Sequence, residues 1–69
     1  MPPTLKEGAL SGAVRNLQRL LNVHNQNLVV DGSFGPATHQ GVLNFQKVLG
    51  LAEDGIVGPA TWSALDTFG

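Results

Sequence analysis

Val14, Leu17, Leu20 and Leu21 recur at the three- and four-residue spacing of one helical face. Ser11 precedes them as a side-chain N-cap, which predicts a first helix over about Gly12 to Val23. A second stripe, Ala37, Val42, Phe45 and Leu49, follows Gly35-Pro36 and stops at Gly50. Gly-Pro suits a helix start, because the N–H that proline lacks is one the first turn leaves unpaired anyway. Gly50 suits a left-handed cap, with Leu51 placed for the apolar contact that follows one. Gly58-Pro59 opens a third helix, to about Asp66, that buries Trp62 and Leu65. Val57 against Trp62, and more weakly Phe34 against His39, stand at hydrophobic-staple positions. The stretch from Asn22 to Asn27 is polar and turn-prone, and Leu28-Val29-Val30 reads as a short extended piece. The pattern predicts an all-α bundle of three short helices with little or no sheet. Residues 1–9 read as a loosely held, proline-containing lead-in and residues 10–69 as the domain.

Polar positions carry a second pattern. Asp31-Gly32-Ser33-Phe34-Gly35-Pro36-Ala37-Thr38 returns as Asp54-Gly55-Ile56-Val57-Gly58-Pro59-Ala60-Thr61, with six of eight positions identical at a shift of 23. Val14 to Leu21 aligns with Val42 to Leu49 at a shift of 28. The two shifts differ by five residues, so the first copy has a longer connection between Val23 and Val30. The chain reads as two copies of one helix-plus-turn unit. Each Asp can accept the N–H two residues on, and each following Gly supplies backbone angles that side chains disfavour. Asp31 and Asp54 therefore shape two equivalent turns, and they can also present carboxylates at the rim of a groove. Gln18 and Gln46 each follow a core residue, where a side-chain amide can pair buried turn backbone. Asn16 and Asn44 also correspond but lie off the apolar stripe, which predicts that they face solvent. Trp62 is expected to be mostly packed rather than free to stack on a sugar.

Composition narrows the functions. A 7.2 kDa chain is one small domain, and without cysteine it has neither a disulfide framework nor a Cys-rich zinc site. Four basic residues against five acids, net charge −1, fall short of a nucleic-acid binder. No apolar run is long enough to span a membrane, and the first residues have no signal core. Export is therefore expected to use a route not encoded here, or a longer parent chain. His24 and His39 lack the partners of a zinc site. Asp31 and Asp54 invite comparison with a glycosidase pair, but turn duty accounts for both. Ser11, Ser33 and Ser63 have no nucleophile-elbow context, and the Asp-Gly turns lack the further oxygens of a calcium loop. The expectation is a chain that is not an enzyme by itself and needs no metal or cofactor.

Taken together, Val14-x-x-Leu17-Gln18-x-x-Leu21, Asp31-Gly32-x-Phe34-Gly35-x-x-Thr38, Val42-x-x-Phe45-Gln46, Gly50-Leu51 and Asp54-Gly55-Ile56-Val57-Gly58-x-x-Thr61-Trp62-x-x-Leu65 resemble one family. It is the peptidoglycan-binding domain found beside catalytic domains of bacterial and phage cell-wall hydrolases, endolysins among them. The likeness runs from about Leu10 to Leu65. It implies a three-helix fold from a duplicated helical hairpin, and non-catalytic, extracytoplasmic attachment to murein beside a catalytic domain. His39 and Gly41 depart from the more aliphatic run usual in helix 2, and Gly41 is expected to admit close approach of helix 1.

The expected ligand is the peptidoglycan stem peptide with its adjacent amino sugar, in a shallow groove at the two turns and the starts of helices 2 and 3. Asp31, Ser33, Phe34, His39, Asp54, Ile56 and Trp62 are the residues expected to line or support it. Gly32, Gly35, Pro36, Gly55, Gly58, Pro59, Gln18 and Gln46 are expected to shape the turns and caps. The chain is expected to act as a monomer without nucleic-acid or membrane partners. The alternative is a protein-interaction or pro-domain module, which requires an exposed apolar patch around Leu28, Leu43 and Val48.

Overall fold

The computed structural model of the chain describes residues 3–68. Three helices, α1 (Gly12–Val23), α2 (Pro36–Leu49) and α3 (Pro59–Phe68), follow one another without a strand among those residues. The Ser11 hydroxyl accepts the Val14 N–H at 3.3 Å and opens α1. Extended Gly35 and then Pro36 open α2. Gly50, at φ 72°, closes α2 in the left-handed region, and the Leu51 N–H donates back to the Gln46 carbonyl at 2.8 Å. This is the cap geometry glycine allows at least cost. Helix α3 runs two residues past Asp66, its expected end.

Helix α1 packs against both α2 and α3. Val14, Leu17 and Leu21 meet Val42 and Phe45 of α2 and Trp62 and Leu65 of α3 in one core, which Phe34 and Val57 complete from the two turns. Asn16 and Asn44 are exposed, as their place off the stripe predicts. Ala37 was expected in the core and is exposed instead. It sits in the first turn of α2, and an alanine loses little by facing water.

Two further expectations are corrected. Gly41 does not admit helix 1: a side chain there would meet Leu28 at 3.3 Å and Gln26 at 3.7 Å, so it makes room for the α1–α2 connection. That connection is clamped by Asn22, whose amide donates to the Leu28 carbonyl at 3.0 Å while its carbonyl accepts the Leu28 N–H at 2.8 Å. Leu28-Val29-Val30 has no regular structure. Of the residues the interaction-module alternative needs, Leu28 packs on the core, Leu43 is half-buried and only Val48 is exposed.

The lead-in is not loosely held. Leu5 is 5% exposed and exchanges two backbone bonds with Val57, at 3.0 and 2.8 Å. Gly8 donates to the Phe34 carbonyl at 2.8 Å, and Phe34 donates to Ala9 at 2.9 Å. Pro3 accepts the Trp62 indole N–H at 2.8 Å. The segment from Pro3 thus ties both turns to the core, while Met1 and Pro2 lie outside the described residues. Leu5→Ala is expected to cost about 2–4 kcal/mol, read from urea midpoints. Leu10→Ala, at an exposed site, should stay within about 0.5 kcal/mol of the parent.

Candidate functional site

The repeated turns are built around two buried glutamines, each 1% exposed. The Gln18 amide donates to the Asp31 carboxylate at 3.0 Å, the Ser33 carbonyl at 3.1 Å and the Thr38 hydroxyl at 3.1 Å. Its carbonyl accepts the N–H groups of Asp31 and Gly32, both at 3.0 Å. Gln46 repeats the arrangement one unit on. Its amide donates to Asp54 at 3.2 Å, the Ile56 carbonyl at 3.0 Å and Thr61 at 3.2 Å, and its carbonyl accepts the Gly55 N–H at 3.1 Å. Each aspartate also accepts the N–H two residues on, Ser33 and Ile56, at 2.9 Å. Gly32 and Gly55 take φ of 78° and 72°, angles at which a side chain is strained. Segments 31–38 and 54–61 are thus one hydrogen-bonded design used twice.

These bonds favour the ionised carboxylates. Asp31 is held below the usual carboxylate range chiefly by the Ser33 N–H, then by Gln18; Asp54 is held down chiefly by the Ile56 N–H. A group whose pKa is depressed on folding contributes stability above its unfolded pKa, about 3.9 for Asp, and loses it as pH falls through the folded value. Stability of wild type relative to an Asp31→Asn/Asp54→Asn variant should therefore be constant from pH 7 to 5 and decline below about pH 4. Urea titrations at several pH values would show it.

A shallow hollow opens beside each turn, of about 260 Å³ at the first and about 180 Å³ at the second. The two share no lining residue, so the turns frame two hollows rather than one groove. Every residue lining the second is the repeat counterpart of one lining the first: Gln46 of Gln18, Leu51 of Leu28, Asp54 of Asp31, Ile56 of Ser33, Thr61 of Thr38. The first hollow is the more polar: Ser33 stands where the second has Ile56, and Asn27 lines it with no counterpart in the second. Both sit at helix starts, where unpaired N–H groups favour acceptor atoms.

Of the seven residues singled out from the sequence, Asp31 and Ser33 line one hollow and Asp54 and Ile56 the other. Phe34, 1% exposed, supports the first turn from the core. His39 packs against Gly55, with its Nδ1 buried and unpartnered. Trp62, 6% exposed, lines a third cavity elsewhere. Thr38 and Thr61 were missed as lining residues, although both stand in the repeated motif. Among the described residues, no three His, Cys, Asp or Glu groups gather to hold a metal ion, and no helix is long and apolar enough to cross a membrane.

The fold and its turns define a class of small all-α domain in which one glutamine-anchored turn is used twice. Residues 11–65 match the family described as "Putative peptidoglycan binding domain", and the chain belongs to that family. Zinc D-Ala-D-Ala carboxypeptidase of Streptomyces albus G is 46% identical over 65 residues, covering 90% of this chain and 26% of that one. The chain thus spans about a quarter of that relative's length. The SleB N-terminal domain superposes with a TM-score of 0.92 at 32% identity, covering 97% of this chain and 93% of that one. The Burkholderia AP3 phage endolysin gives 0.90 at 43% identity, covering 91% and 24%. The domain is a non-catalytic peptidoglycan-binding module of the kind carried by cell-wall hydrolases.

Proposed function

We propose that this domain anchors an attached cell-wall hydrolase to murein, outside the cytoplasm, by holding the stem peptide and adjacent amino sugar at its two hollows. The observation that supports this reading most is the residue-by-residue equivalence of the hollows, because a repeating polymer offers the same chemical unit to both. Donors at the helix starts and acceptors on Asp31 and Asp54 suit amide and hydroxyl groups. Shallow polar hollows give weak single-site binding, on the order of micromolar to millimolar, offset by the density of sites on a wall.

Purified insoluble sacculi provide the test. The domain should be depleted from the supernatant over a range of salt, since the contacts are not built on net charge. A domain left wholly in solution at every salt concentration would contradict the reading.

A further inference from the structure

A separate cavity of about 480 Å³ opens between α1, α3 and Pro3, and it shares no lining residue with the two hollows. On α1, Asn16, Arg19 and Leu20 fall at three- and four-residue spacing, so they share one face. On α3, Trp62 and Asp66 are four residues apart and share another. Leu20 and the indole supply apolar wall. The indole N–H is committed to the Pro3 carbonyl at 2.8 Å, which fixes the ring as a surface rather than a donor. Arg19 and Asp66 bring one cation and one anion to the same cavity from different helices. The volume lies within the range of small-molecule sites.

We propose that this cleft is a second binding site, for an amino-acid zwitterion. Arg19 takes the carboxylate through its forked guanidinium. Asp66 takes the ammonium, Asn16 adds an amide contact, and the aliphatic part of the ligand lies against Leu20 and Trp62. A cleft with both signs of charge disfavours a purely anionic or purely cationic guest, because one charge would be opposed in each case. The choice of source rests on the wall-binding reading: an uncross-linked diamino-acid residue of a stem peptide carries a free amine and a carboxylate on one carbon. The same group on a free amino acid is the competing source.

Trp62 is the sole tryptophan and lines the cleft, so its fluorescence reports occupancy. Wild type would be titrated with free diaminopimelic acid, with its N-acetylated and carboxamide derivatives, and with a muropeptide ending in the free diamino acid. A saturable change is expected, at least tenfold weaker once either charge is blocked. Arg19→Gln should lose the preference for carboxylate over carboxamide, and Asp66→Asn the preference for free over acetylated amine. Both residues are exposed, and unchanged circular dichroism would establish that the variants fold. No saturable change, or variants that keep both preferences, would overturn the proposal. Tenfold tighter muropeptide binding identifies the wall as the source, whereas equal binding identifies the free amino acid. Sacculus depletion by wild type is scored separately, so failure of wall binding and failure of this cleft are told apart.

Discussion

Gln18→Ala is expected to remove a large part of the domain's stability in water at 25 °C. The substitution removes five hydrogen bonds at once, and two of them, to Thr38 and from Gly32, are fully buried. An orphaned buried polar group costs about 1–3 kcal/mol, and the vacated volume adds to it. A loss of about 3–5 kcal/mol compares with a total stability of roughly 3–10 kcal/mol for a domain of this size. Gln46→Ala should be nearly as damaging, and slightly less so because the second glutamine makes four such bonds. Gln18→Glu keeps the shape but loses the amide donors and sets a carboxylate against Asp31. That variant should recover stability as pH falls, which Gln18→Ala cannot do. Urea midpoints for the three variants at pH 7 and pH 4 would check the order.

Gly55→Ala is expected to follow in severity, at about 2–5 kcal/mol. Left-handed backbone costs a side-chain-bearing residue roughly 1–2 kcal/mol, and overpacking adds about 1–3 kcal/mol. The added methyl would run into the His39 ring, with Nδ1 2.7 Å away. Gly32→Ala meets the same backbone penalty at φ 78°, but its nearest neighbours lie at 3.2 to 3.3 Å and two of them belong to the flexible Arg15 side chain. It should cost about half as much, close to the backbone penalty alone. His39→Ala removes the obstacle, so the pair Gly55→Ala/His39→Ala should lose at least about 1 kcal/mol less than the sum of the single changes. Strict additivity would show that His39 does not confine the second turn.

What the sequence disclosed was local. The helix starts at Ser11, Gly35-Pro36 and Gly58-Pro59 are properties of a few adjacent residues, and the structure has the helices beginning there. The pairing of Gln18 and Gln46 with the turns was visible because each copy of the repeat carries one glutamine directly after a core residue and one Asp-Gly step. Leu5 was not legible, because one apolar residue among polar neighbours has no period and its partner Val57 is remote in sequence. Gly41 was assigned the wrong neighbour for the same reason: the loop that approaches it follows no helical spacing. The cleft between α1 and α3 depends on how two helices face each other, and of its lining residues only Trp62 was singled out as a ligand contact. Ala37 shows the opposite error, in which an apolar residue at helical spacing faces water.

Amide chemical-shift mapping with a soluble muropeptide most directly tests whether the twinned corners contact the wall. Saturable shifts at Asp31, Ser33 and Thr38, mirrored at Asp54, Ile56 and Thr61, are the predicted result. A muropeptide that leaves both sets unmoved at millimolar concentration, or shifts residues only elsewhere, would contradict it.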